Sequence, residues 1–214
     1  MAFRDWVFGL FGRKARHEEG SQRHRGSATH VVILDGTMSQ LKPGCETNAG
    51  LTFKLLQEAG ATANLTVYYE AGIQWRDWRK TWDVMTGRGI NRTIRRAYGV
   101  IASRYRPGDR IVLLGYSRGA FAVRSLAGVI GMVGLIKANH ATVRAIRTAY
   151  RHYEAGGRSA SAVAFRDAYC HAETQIDAVG VWDTVKALGL RVPLLWRISA
   201  DRHAFHSHAL GDHV

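Results

Sequence analysis

Short apolar runs alternate with longer amphipathic segments from residue 29 onward, and this alternation is the strongest constraint on the fold. The short β-branched runs predict strands at His30–Leu34, Leu65–Glu70, Arg110–Gly115 and Ile176–Trp182. Apolar residues at helical spacing predict helices at Thr47–Ala59, Asn91–Tyr105, Ser117–Val133, Ala141–Tyr153 and Ser161–His171. Strands that alternate with helices form a parallel sheet covered on both faces. We therefore predict an α/β fold, with a mostly parallel sheet whose following loops share one edge.

Composition excludes several other classes of protein. The chain has 214 residues, of which 46% are apolar, so we expect a packed core and not a disordered chain. Its two cysteines are too few for a disulfide framework or a Cys-rich zinc site, and we expect no metal and no cofactor. A formal net charge of +13 suits nucleic acid, an anionic membrane or an acidic substrate, and does not choose among them.

Residues 1–28 are expected to form a segment separate from the α/β domain, which we place at 29–214. Apolar residues near the N-terminus follow helical spacing, at Phe3, Trp6, Val7, Leu10 and Phe11. This amphipathic helix, with its basic flank, suits an anionic membrane surface, but it can also pack on its own domain or on a partner. The polar residues 12–28 read as a linker. We predict neither a secretory signal peptide nor a spanning helix, and thus a cytoplasmic or peripheral membrane location, with non-Sec export left open.

The strongest chemical motif is Gly115-Tyr116-Ser117-Arg118-Gly119, a G-x-S-x-G that joins the third predicted strand to a helix. This context is that of a nucleophile elbow, a strained turn that presents a serine hydroxyl above the sheet edge. We predict that Ser117 is a nucleophile and that the Arg118 N–H, at the helix start, faces a developing oxyanion. A tight turn with a capping serine is the alternative.

A serine nucleophile needs a base and an acid that orients the base. In α/β-hydrolases the acid follows the serine in the chain and ends a later strand. Asp183 fits this role because it ends the fourth predicted strand, whereas Asp177 begins that strand and belongs to the opposite edge. A helix-capping role is the alternative for Asp183.

The first predicted strand ends in Asp35-Gly36-Thr37, a position that suits the second oxyanion donor. Gly36 permits the close backbone approach, and a backbone N–H of Gly36 or Thr37 would donate. Asp35 either orients this loop or caps a turn through its side chain. Asp-Gly-Thr also occurs in haloacid-dehalogenase phosphatases, but these need an aspartate where Ile33 stands.

No histidine fits the role of base. Four histidines lie in the last twelve residues, at His203, His206, His208 and His213. No strand-and-loop pattern precedes any of them, so we interpret each as a surface or packing residue.

Several stretches, taken in order, resemble a family of predicted α/β-hydrolases that was first catalogued as a domain of unknown function. This family includes the first class of bacterial type VI secretion phospholipase effectors. The matching stretches are Val32–Thr37, Thr47-Asn48, Tyr68–Gly72, Gly87–Ile90 with Tyr98, Tyr105–Ile111, Leu114–Phe121 and Val179–Val185. The resemblance runs from about residue 29 to the C-terminus. It implies a serine esterase or lipase with Ser117 as nucleophile and Asp183 as acid, acting on a lipid or another ester, and it allows for a secretion-apparatus partner.

The resemblance stops before the family's G-x-H-S-D-V-G-G loop, in which the triad histidine is expected. The chain ends at Gly211-Asp212-His213-Val214 without it. We therefore expect a fragment, a split gene product or a degenerate copy that lacks the C-terminal part of the domain, and little or no hydrolase activity for residues 1–214. A non-catalytic domain that binds a membrane or a partner protein is the competing hypothesis.

Two segments combine basic residues with a possible lipid contact. Ile73–Met85 carries a tryptophan stripe that suits a lipid interface or a lid, although it equally fits a helix anchored to the core. A basic cluster follows at Arg88, Arg92, Arg95 and Arg96. Such faces are usually solvated, but they can gather phospholipid headgroups. Nucleic-acid binding is least favoured, because no nucleic-acid module is recognisable.

Overall fold

A computed structural model describes residues 26–59, 64–72 and 88–184 of the chain. The strands are β1 (Thr29–Leu34), β2 (Leu65–Glu70), β3 (Arg110–Tyr116) and β4 (Ala178–Trp182). The helices are α1 (Asn48–Glu58), α2 (Arg88–Ala102), α3 (Arg118–Val133), α4 (Val143–Glu154) and α5 (Ala160–Tyr169), with a 3₁₀ turn at Ala138–His140. The predicted N-terminal helix, most of the linker, the tryptophan stripe and the C-terminal histidines lie outside the described residues.

The four strands form one sheet in the order β2-β1-β3-β4, and every pairing is parallel. β1 lies inside the sheet, so Leu34 at its end is paired with Glu70 on one side and Gly115 on the other. The carboxyl ends of the strands therefore meet at one edge. The predicted α/β fold with a parallel sheet is confirmed.

Both faces of the sheet are covered by helices, as the sequence predicted. Successive residues of a strand point to opposite faces. Val32 and Leu34 belong to the larger core, which also contains residues of α2, α3, α4 and α5. Val31 and Ile33 belong to a smaller core packed against α1. Burial on both faces explains why β1 reads as an unbroken apolar run.

Some element boundaries differ from the sequence prediction by a few residues. α2 begins at Arg88 instead of Asn91, and it ends at Ala102, where a tighter turn forms as Arg104 N–H donates to the Ile101 carbonyl. β4 begins at Ala178, and Asp177, the residue before it, binds the first residues of β3 instead of continuing the strand. The Asp177 carboxylate accepts hydrogen bonds from Ile111 N–H and from Arg110. Asp177 thus lies at the amino end of the strands, as predicted.

A second carboxylate, Asp109, ties the amino edge of the sheet together. It accepts hydrogen bonds from the backbone N–H groups of Ala28 at 2.8 Å and Arg106 at 2.9 Å. The His30 ring contacts the same carboxylate at 3.0 Å and the Thr66 hydroxyl at 2.6 Å. Burial by itself raises the pKa of Asp109, but the hydrogen bonds outweigh it and lower the pKa.

Replacing this carboxylate should destabilise the fold in a pH-dependent way. We expect Asp109→Asn to lower the free energy of unfolding by about 1.5–3 kcal/mol near neutral pH, since charge-assisted hydrogen bonds are lost. A lowered native pKa gives stability that is present above about pH 4 and is lost as the pH falls through that pKa. Urea unfolding at several pH values measures this. An equal deficit near pH 7 and near pH 2 would contradict the assignment.

Candidate active site

Ser117 forms a one-residue turn between β3 and α3. Its φ is 54° and its ψ is −118°. A positive φ is strained for a residue with a side chain, and such strain concentrates at functional sites. Its side chain makes no capping hydrogen bond to α3. We call this strand–serine–helix turn, in which the serine side chain does not cap the helix, the elbow.

Two glycines let α3 begin directly against the sheet. A Cβ at Gly115 would lie 2.6 Å from the Gly119 carbonyl oxygen, which is closer than any real contact. A Cβ at Gly119 would overlap the carbonyl oxygen of Leu34 on β1. The spacing of glycines in the motif is therefore a packing requirement of this turn.

Asp183 lies at the same edge of the sheet as Ser117. The Ser117 N–H donates to the Trp182 carbonyl at 2.9 Å, which extends the pairing of Tyr116 with Trp182 by one step. Asp183 follows directly; it is exposed and has a φ of 44°. Among the described residues, no hydrogen bond joins Ser117 to Asp183.

The loop after β1 passes beside the elbow. A Cβ at Gly36 would lie 2.7 Å from the Tyr116 ring and 3.2 Å from the Ser117 Cβ. The Gly36 N–H donates to the Asp35 carboxylate at 2.7 Å. The Thr37 N–H, by contrast, has no acceptor within the described ranges. Arg118 is the first residue of α3, so its N–H has no acceptor within the helix.

Gly72 was not predicted as a site residue, yet it fixes this loop from the other side. A Cβ at Gly72 would overlap the Gly36 carbonyl and would lie 2.6 Å from the Thr37 nitrogen. Its N–H donates to the Ser39 hydroxyl at 3.2 Å. Its sequence signals were its place two residues after the β2 segment, where a glycine often marks close backbone approach, and its membership of the matching stretch Tyr68–Gly72.

The Asp35 carboxylate joins three elements around the loop. It is 3% exposed and, besides Gly36, accepts hydrogen bonds from the hydroxyls of Thr47 and Tyr69, the latter at 2.7 Å. Burial and the bond to Asp35 raise the pKa of Tyr69, so this hydroxyl remains a donor. Thr47 also caps α1, accepting from Gly50 N–H at 3.0 Å. Tyr69 as a partner of Asp35 was not predicted.

A small pocket of about 30 Å³ lies beside the elbow. Its lining includes Thr37, Glu70, Gly72, Thr93 and Arg118. Glu70 is held there by hydrogen bonds from the Tyr68 and Thr93 hydroxyls at 2.6 and 3.0 Å. Burial lowers the pKa of the Arg118 guanidinium. Glu70 and Thr93 were not predicted as site residues. They lie on β2 and α2, and the order of the strands, which the sequence does not state, brings them to the pocket.

No histidine in the described ranges contacts Ser117 or Asp183. Each has partners elsewhere: His30 with Asp109 and Thr66, His140 with Tyr169, His152 with Phe165, and His171 with Tyr105. In the same ranges, no three His, Cys, Asp or Glu residues cluster as metal ligands would. The four histidines that the structure describes are thus engaged with residues other than Ser117 and Asp183.

Comparison with known proteins identifies a family for this chain. A model of the family described as "T6SS, Phospholipase effector Tle1-like, catalytic domain" matches residues 29–214. The chain belongs to this family. The resemblance read from the sequence motifs is thereby confirmed.

One curated relative from Saccharomyces cerevisiae, the uncharacterized protein YEL023C, is 28% identical over 212 residues. The match covers 85% of this chain and 31% of the yeast protein, so the chain spans under a third of that relative. No solved structure matches the chain. None of the helices that the structure describes is long and apolar enough to cross a membrane.

The elbow should not tolerate a side chain at Gly119. We expect Gly119→Ala to lower the free energy of unfolding by several kcal/mol, because the new methyl group overlaps a backbone oxygen that cannot move aside cheaply. Gly99→Ala in α2 is the matched control, since its methyl meets only the end of the Ile146 side chain and helix propensity favours alanine. Chemical denaturation compares them. Equal stabilities would contradict the packing argument.

Asp35 should act through its hydrogen bonds. We expect Asp35→Asn to lower the free energy of unfolding by about 1.5–3 kcal/mol. The amide NH₂ of asparagine would face the N–H and O–H groups that now donate to the carboxylate. Tyr69→Phe removes a single bond to the same carboxylate and should cost less, about 0.5–1.5 kcal/mol. Thermal melting ranks the two variants, and a reversed ranking would argue against Asp35 as the centre of this network.

Proposed function

We propose that this protein is a serine ester hydrolase that acts on phospholipid, with Ser117 as nucleophile and Asp183 as the acid that orients the base. The elbow carries this proposal, since Ser117 keeps a strained backbone in a glycine-packed turn at the carboxyl edge of the sheet. Membership in a family of phospholipase effector catalytic domains supports the lipid substrate.

The chemistry would follow the two steps of serine acyl transfer. The Ser117 hydroxyl attacks the ester carbonyl while a histidine base takes its proton. The tetrahedral intermediate collapses, and the base returns the proton to the departing alcohol. Water then hydrolyses the acyl-enzyme by the same route. Asp183 supports the base; it lies one residue beyond Trp182, whose carbonyl binds the Ser117 N–H.

Two backbone N–H groups are suited to bind the oxyanion. Arg118 N–H belongs to the first residue of α3, where the helix dipole favours negative charge. Thr37 N–H lies on the loop that Gly36 brings into contact with Ser117. The Gly36 N–H already donates to the Asp35 carboxylate, so we do not assign it to the oxyanion. We assign Gly36 the role of letting the loop approach Ser117 closely, and Asp35 the role of positioning the loop. Each such donor is worth about 3 kcal/mol of transition-state stabilisation.

A second candidate is a non-catalytic domain that keeps the fold and binds a membrane or a partner protein. The observation in its favour is that, within the described ranges, every histidine is engaged away from Ser117. The hydrolase proposal requires a base outside the described ranges, against the expectation from the sequence that residues 1–214 lack one, and that expectation stays a prediction. Reactivity of Ser117 separates the two candidates.

A fluorophosphonate probe tests the nucleophile directly. We expect covalent labelling of the wild-type chain and none of Ser117→Ala, because the probe needs an activated serine. Asp183→Asn should slow labelling by about 10³-fold or more, since it removes the group that orients the base. Circular dichroism confirms that each variant is folded. A folded wild-type chain that is not labelled would contradict the proposal and favour the non-catalytic candidate.

A further inference from the structure

An open cleft lies between α2 and α4, away from Ser117. The two helices run side by side, with Ile146 of α4 against Gly99 of α2. The Arg95 guanidinium of α2 lies over the Tyr150 ring of α4, 5.7 Å from the centre of that ring. The cleft has a volume of about 780 Å³, and an adjoining one of about 500 Å³ continues along the same helices. We call the two together the α2–α4 cleft.

Arginines dominate the lining of the α2–α4 cleft. They are Arg92, Arg95, Arg96, Arg104, Arg144, Arg147 and Arg151. Among the described residues, Arg96 is the only one of them in an ion pair, with Glu70 at 3.3 Å. Among the lining residues that the structure describes, Glu154 is the one acidic residue, and burial raises its pKa. The cleft therefore carries a large excess of positive charge, which attracts anions.

A buried hydroxyl without an acceptor lies in the wall of this cleft. Tyr150 is 4% exposed, and its hydroxyl has no hydrogen-bond partner within the ranges described. An unsatisfied buried polar group costs about 1–3 kcal/mol and calls for a specific explanation. We take this hydroxyl as a candidate donor, beside the arginines, for a phosphate oxygen that reaches between the helices.

The cleft and the elbow share helix α2. Asn91 lines the cleft, while Ile90 and Thr93 from the same turn line the pocket beside Ser117. Apolar side chains also border the cleft, among them Val143, which is 67% exposed. A surface that presents phosphates above an apolar layer matches this combination of arginines and apolar residues.

We propose that the α2–α4 cleft binds the headgroup phosphates of an anionic phospholipid bilayer and holds the elbow edge beside that surface. The choice of lipid rests on the proposed hydrolase function; the anionic character rests on the arginines. Single-stranded nucleic acid is less suited, because it binds by stacking bases on exposed aromatic rings. Tyr150 is almost fully buried and Tyr68 is half-buried.

Vesicle binding tests the cleft in the Ser117→Ala background, so that no turnover alters the lipid. The cleft variant replaces Arg144, Arg147 and Arg151 with glutamine. The control replaces Lys42, Arg106 and Arg158 with glutamine. These residues are also exposed, and the three replacements remove the same amount of positive charge. On phosphatidylcholine vesicles with about 30% phosphatidylglycerol, we expect the cleft variant to bind at least about tenfold more weakly than the control. The difference should shrink with added salt. Equal binding would overturn the proposal.

Tyr150→Phe separates a binding role from a structural one. We expect an unchanged or raised melting temperature, because a buried unsatisfied hydroxyl is removed, together with weaker binding to the anionic vesicles. A lowered melting temperature with unchanged vesicle binding would overturn the assignment of this hydroxyl to the ligand.

A short DNA duplex is the competing probe. If the cleft variant loses affinity for duplex but not for vesicles, the ligand is not lipid. Fluorophosphonate labelling reports on Ser117 independently of all these readings.

Discussion

The Asp35 carboxylate is the interaction on which the surroundings of the elbow depend. Burying an ion is costly unless hydrogen bonds replace its water, and here the donors come from the loop itself, from Thr47 at the start of α1, and from Tyr69 on β2. The network fixes the path of Gly36 and Thr37 past Ser117. Asp109 does similar work at the other end of β1, where it binds His30 and two backbone N–H groups. A buried carboxylate therefore holds each end of the central strand.

The strain at Ser117 persists because its neighbours leave the turn no other path. Such a backbone conformation costs about 1–3 kcal/mol unless surrounding contacts determine it. Gly115 and Gly119 allow α3 to lie directly on the sheet, and the Trp182 carbonyl holds the Ser117 N–H. A positive φ at a residue with a side chain, held in place by packing and hydrogen bonds around it, is typical of functional sites.

How far the sequence predicts this molecule depends on whether the signal is local. The strands were predicted to within two residues from their short apolar runs, and the turn at Ser117 was predicted because its glycines and serine lie within five consecutive residues. The start of α2 was missed, since Arg88 and Gly89 carry no helical signal of their own. Tyr69, Gly72 and Thr93 could not be assigned to the site, because only the strand order brings them there.

Charge and chemistry occupy different parts of the fold, and this affects how an experiment on this protein is interpreted. The elbow depends on strand ends and on the Asp35 network, whereas the α2–α4 cleft depends on two helix surfaces and on Tyr150. A chain without a working base would keep the cleft intact. Binding to anionic lipid would then persist without hydrolysis, so binding by itself is no evidence of catalysis. Reactivity of Ser117 and affinity for a lipid surface are therefore separate properties, linked only through α2.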